Sequence, residues 1–222
     1  MVAKSELATL ITDYYERNRV GVSTTRLMEL SDSQVDTVAG LIETSGKALT
    51  NRHRVGGYYG GNGHQDTLTL TEDVMVVGPI VIEEFLSISE IGVDVTTAGT
   101  EGNLYTALYA DTGNGYPGAL IHASAALAVT TGFKSTTGLT NVLLPPGLYW
   151  AGALCNQVTT TVATVRSLIS NSPWVGETAG ANDVDCAGYS MSAQTGAPPA
   201  TFGSSAAVVG EVPRVLLKVD SK

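Results

Sequence analysis

The chain has 222 residues, 43% of them hydrophobic and 15% charged, with a formal net charge of −9. That length suits one sizeable core with a small appendage. A charged share below the usual value of about 25% means that serine, threonine and asparagine must keep the surface wet, as they do in runs 135–140 and 159–164.

Charge is unevenly placed: residues 1–60 carry seven basic and seven acidic side chains, and residues 61–222 carry five and fourteen. So acidic a second part repels phosphate backbones, and nucleic acid is not an expected partner. Between Asp111 and Glu177 the only charges are Lys134 and Arg166, a stretch that suggests burial between subunits. MVAKSELATL lacks the apolar core of a signal peptide, and no run approaches the ~18 apolar residues of a membrane span. The expectation is therefore assembly in the cytoplasm without membrane insertion.

In chain order, Leu7, Leu10, Ile11, Tyr14 and Tyr15 recur at three- and four-residue steps and predict a helix from about Lys4 to Arg19. A second helix is expected from Ser31, where Ser31 and Gln34 have capping-box spacing and Val35, Val38, Ala39 and Ile42 follow with helical period. Two short amphipathic helices need a partner for their apolar faces. Leu7, Leu10, Ile11 and Tyr14 are the expected attachment face; the plainer alternative is a helical hairpin packed on its own domain. Residues 56–63, GGYYGGNG, then read as a flexible joint and give the expected boundary between a helical segment, 1–60, and a β domain, 61–222.

From Thr67 the period becomes two: Leu68 and Leu70, then MVVGPIVI, then Leu86 and Ile88 followed by Ile91, Val93 and Val95. The last group slips one register at Glu90, which predicts a β-bulge. Further strands are expected at 104–110, 119–129, 141–144, 148–156, 160–169, 187–191 and 214–219. They are short and evenly spaced, with no helix between them. The expected fold is mainly β, an antiparallel sandwich of jelly-roll type behind a short helical segment.

Motifs that carry chemistry fail on context. GNGYPG, from Gly113 to Gly118, has the letters of a dinucleotide loop, but Pro117 leads into a strand and no acid follows before Glu177. It reads instead as a turn, with Asp111, Gly113, Asn114 and Gly115 supplying positive φ. GLIETSGKA at 40–48 is one residue too long for a phosphate loop and lacks its hydroxyl. His53, His64 and His122 have no metal spacing and no triad partner, and each reads as a surface or satisfied core histidine. Glu83 and Glu84, adjacent on a strand, would point to opposite faces. Asp183 and Asp185 offer oxygens but lack the remaining calcium ligands. Cys155 and Cys186 read as buried free thiols. No catalytic residue, cofactor or metal is expected. Trp150 reads as core. Trp174, in a polar loop, reads as a sugar-stacking or subunit-contact residue. Tyr58, Tyr59 and Tyr116 are further candidate ligand or subunit contacts, although Tyr58 and Tyr59 equally suit pinning a glycine-rich loop against a neighbour.

LYADTGNGYPGALI (108–121) and LLPPGLYWAG (143–152) together resemble the β-sandwich domains of tailed-bacteriophage fibre, receptor-binding and minor capsid proteins. In these a strand ends in an Asp-Gly turn, Pro-Gly starts the next, and a Pro-Gly-x-Tyr-Trp segment enters a central strand. The resemblance covers about residues 80–170. It implies a homotrimeric virion structural protein, made in the host cytoplasm and not an enzyme. Its partners would be other tail, baseplate or capsid proteins, itself, and a host surface glycan. The alternatives are a capsid decoration protein, a carbohydrate-binding module or, from a different class, a glycan depolymerase, which would need a carboxylate pair that only the fold could assemble.

Overall fold

Period-two patterning is realised as strands throughout the part of the chain that the computed structural model describes, residues 53–158, 160–169, 187–203 and 206–221. Both expected helices, the attachment residues Leu7, Leu10, Ile11 and Tyr14, and Trp174, Asp183, Asp185 and Cys186 lie outside the described residues. The described strands belong to one unit that begins at His53.

These strands are β1 (Tyr58–Tyr59), β2 (His64–Thr69), β3 (Val74–Ile82), β4 (Leu86–Thr97), β5 (Asn103–Asp111), β6 (Pro117–Ala123), β7 (Gly132–Leu144), β8 (Gly147–Asn156), β9 (Thr164–Ile169), β10 (Gly188–Met191), β11 (Ala207–Val209), β12 (Glu211–Pro213) and β13 (Val215–Ser221). They form two antiparallel sheets. The larger runs β1-β13-β4-β9-β12, with β2 added on β9 and β7 on β4; the smaller runs β11-β10-β3-β8-β5-β6.

The slip at Glu90 is a bulge. Consecutive Lys218 and Val219 of β13 face Glu90 and Ile88 of β4, so Ser89 is the extra residue, and the β4–β7 register breaks at the same place. Leu86 and Ile88 before it, and Ile91 after it, therefore join one buried cluster with Ile80, Ile82, Tyr149 and Leu217, drawn from both sheets. Val93 and Val95 continue into a second cluster around Leu104, Ala153, Cys155 and Val165. Each such side chain contributes about 1.5–3 kcal/mol on full burial.

Sequence and structure differ in five places. The strand expected over 119–129 ends at Ala123, and that over 160–169 begins at Thr164. β7 starts at Gly132, nine residues before the expected 141, because its first half, GFKSTTGLT, is an edge ribbon without an apolar face of its own. Residues 56–63 are not a free joint: Tyr58 and Tyr59 pair with Lys218 and Leu217. Their glycines serve close approach, since a Cβ at Gly60 or Gly61 would lie 2.7 Å from the carbonyl oxygen of Val215 or Pro79. Lastly, Glu83 and Glu84 lie between β3 and β4 rather than on a strand. Glu84 is buried, and its Oε1 takes bonds from the backbone N of His53 (3.2 Å) and the His53 ring (Nδ1, 3.1 Å).

Pro79, inside β3, leaves no ladder partner unsatisfied, because β10 covers β3 only from Met75 to Val77. At the centre of the smaller sheet Gly152 stands between Val77 and Ala107, and an added Cβ would overlap the Val76 carbonyl oxygen. Gly152→Ala is expected to destabilise by at least about 1–3 kcal/mol in urea unfolding, whereas Gly196→Ala, with open space around it, should be near neutral. Equal midpoints for the two would contradict this packing.

Candidate functional site

β5 ends in Asp111, and the chain returns through a tight turn to β6, closed by a bond from Thr112 N to Tyr116 O (2.8 Å). Gly113 (φ 88°) and Gly115 (φ 74°) supply the left-handed positions, while Asp111 and Asn114 do not, contrary to expectation. Asp111 acts through its side chain. Its Oδ2 accepts from Gly113 N at 2.5 Å and Gly115 N at 3.5 Å, and its Oδ1 accepts from Trp150 Nε1 at 3.0 Å. One carboxylate thus holds both the turn and the buried indole of β8. An indole buried without an acceptor would cost about 1–3 kcal/mol.

Alternation along β8 sends Tyr149 into the cluster shared by both sheets and Trp150 to the opposite face. There Trp150 joins Met75, Val77, Tyr109, Leu154, Tyr189 and Phe202 in a third buried cluster. Trp150 lies 5.3 Å from Tyr189, and Tyr189 carries Tyr116 stacked on it at 4.9 Å and 24°. Tyr116 is 50% exposed. Burial, helped by the Tyr116 hydroxyl and the Asp111 charge, pushes the Tyr189 phenol up to about 12. Tyr189 is therefore neutral at physiological pH, and its stack with Tyr116 is a contact between ring faces. It offers one fixed aromatic face, suited to stacking and not to acid–base chemistry.

A second constellation lies on the larger sheet. Tyr58 donates to Glu90 Oε2 (2.7 Å), Ser135 donates to Oε1 (2.6 Å), and Lys218 Nζ stands 3.5 Å from Oε2. Phe133 meets the Tyr58 ring edge to face at 5.5 Å. Burial pushes the Glu90 carboxyl up, but the bonds from Ser135 and Tyr58 and the Lys218 charge outweigh it and hold it below its ordinary value. Tyr59, the next residue, turns to the core cluster and to the His53 ring at 4.6 Å.

Tyr58 and Tyr59 thus serve different sites, and Tyr116 belongs to the other sheet. Glu90, Phe133 and Tyr189 were missed as site residues. Only Glu90 left a signal, as the lone acid inside the apolar run ISEIGV. His122 has a buried Nε2 without a partner, and burial lowers its pKa. Cys155 is a buried free thiol pushed up by burial, the reverse of an activated nucleophile. Among the described residues no group of three His, Cys, Asp or Glu could hold a metal. A groove of about 540 Å³ between β2, β3 and β11 is lined by Leu68, Leu70, Val74, Val76 and Val208; its one carboxylate, Glu211, accepts from Ser167.

Asp111→Ala is expected to lower unfolding stability by about 1–3 kcal/mol; a fully stable variant would show that Trp150 finds another acceptor. The Glu90 carboxyl titrates lower in the folded protein than in the unfolded chain. Its contribution is therefore present above the ordinary carboxylate range and lost as pH falls through the folded value. Urea unfolding of Glu90→Gln should accordingly show reduced stability at pH 7 and a shallower loss toward pH 3 than the wild type. Parallel curves would rule out this role.

A scan against protein-family models finds no match for the chain, and a search of curated proteins finds no significant relative.

Proposed function

We propose that the chain is a non-enzymatic structural protein of a tailed-phage virion, a trimeric tail fibre. Its N-terminal segment, the part of residues 1–60 that precedes the β unit beginning at His53, docks to the particle, and its jelly-roll-like β-sandwich contacts the host surface. The observation that carries this reading is the bond between Asp111 and Trp150. It joins the two segments on which the resemblance rests, 108–121 and 143–152, so the two motifs form one unit. The strand order supports the jelly-roll reading: β3-β8-β5 lie together in one sheet and β4-β7 in the other, so successive strands β3, β4 and β5 alternate between sheets.

A non-catalytic role is favoured by how the carboxylates are used. Asp111, Glu90, Glu84 and Glu211 are each committed to bonds that hold the fold. The half-exposed Tyr116 ring, pre-stacked on Tyr189, is the candidate surface contact, because a rigid aromatic gives contact area at little conformational cost. A capsid decoration protein would use the same architecture. The same ring favours a second reading, a free carbohydrate-binding module.

Light scattering on the full-length chain separates them. The expected mass is three times 23.0 kDa. A monomer that binds glycans on an array and loses that binding on Tyr116→Ala would replace the virion reading with the second one.

A further inference from the structure

Resting on the trimer reading above, the structure assigns the subunit contact to one face of the larger sheet, the face opposite Ile88, Ile91 and Val93, and the occupant to a second copy of this chain.

Three of the large apolar side chains left exposed stand on this face: Leu143 (61%), Tyr58 (42%) and Phe133 (39%). Leu143 alternates with core Leu144 and pairs with Ser87 on β4, three residues from Glu90, on the order of 10 Å away at a strand's rise. Phe133 and Tyr58 sit edge to face beside Glu90. Covering them removes apolar surface from water, and aromatic residues are enriched at the centres of such contacts.

Charge on the face points to the same occupant. Glu90 is ion-paired to Lys218 and Asp94 to Arg166, each at 3.5 Å, so both carboxylates are already partnered within the chain and need no group from outside. Arg214 stands there too, alternating with core Val215. Lys218, Arg166 and Arg214 are thus three of the five basic residues beyond residue 60, in a segment with fourteen acidic ones. Counted with its two carboxylates the face is net +1, while the remainder of residues 61–222 carries two basic and twelve acidic side chains, so the face is complementary to the rest of that domain. A three-fold ring needs such a pairing, because its contact joins two different patches, head to tail. β7 supplies Phe133, Ser135 and Leu143 to the face and lies within the nearly charge-free stretch of the chain.

The test is the mass of the full-length chain by light scattering, wild type against Leu143→Glu and Phe133→Ser, with Leu143→Ser should the introduced charge unfold the strand. Both positions are expected to weaken assembly by at least about 30-fold, shifting micromolar protein from three chains toward one while the thermal midpoint stays close to that of the wild type. Ile121→Glu, an exposed position on the smaller sheet, is expected to stay trimeric. Folded sheet-face variants that remain trimeric overturn the assignment and leave the trimer reading standing. A wild-type monomer overturns both.

Discussion

One extra residue in β4 decides which side of the larger sheet is core. Strand side chains alternate strictly, so a shift of one position exchanges the two faces. Without Ser89 as a bulge, the alternation that buries Leu86 and Ile88 would carry Glu90 inward beside Leu217 and turn Ile91 and Val93 out. Burying an unpaired carboxylate among aliphatic side chains is far more costly than the local loss of one ladder bond. The bulge resolves the conflict. It sends Glu90 to the opposite face, where β1, β7 and β13 supply Tyr58, Ser135 and Lys218 as partners. A single carboxylate then ties three strands to β4, and one of them, β1, is only two residues long, its other ties being the pairing with β13 and the Tyr59 side chain in the core.

The smaller sheet is organised around a different carboxylate. β8 is buried on both faces, with Tyr149 and Ala151 toward the cluster shared with the larger sheet and Trp150 and Leu154 toward a separate one. The second cluster is closed by Phe202, whose ring meets Tyr109 edge to face at 5.5 Å. Trp150 can occupy this interior because Asp111 accepts its N–H. That same carboxylate caps the turn that ends in Tyr116, so the position of the exposed ring is coupled to the packing of the buried Trp150 indole.

Much of the sheet structure was legible in the sequence, because it rests on local alternation. The strands around MVVGPIVI, LYTALYA and LYWAGAL, the bulge at Glu90 and the core placement of Trp150 all follow from the pleat. The misreadings have physical causes. GGYYGGNG suggested a flexible joint because glycine serves both freedom and close approach, and only the tertiary neighbours, the carbonyls of Val215 and Pro79, show which applies. The first half of β7 went unread because an edge strand held by β4 needs no apolar face. The site was less legible than the fold. Tyr116 and Tyr58 were singled out, but their partners Tyr189 and Glu90 are 73 and 32 residues away, and no local pattern encodes such a pairing.

The acidity of the domain therefore has two separate physical roles. Its placed carboxylates, Asp111, Glu84, Glu90 and Glu211, are held within the fold by indole, imidazole, hydroxyl and amide donors, and so act as internal clamps. Asp66, Glu72, Glu101 and Asp220 are exposed, and there like charge keeps copies apart unless a complementary face is presented. Selective contact with another surface must then come from what is neither acidic nor buried: a stacked tyrosine on one sheet, and an aromatic and aliphatic face with paired charges on the other. On the function proposed above, recognition would rest on shape and apolar contact, with charge suppressing wrong contacts more than it strengthens right ones.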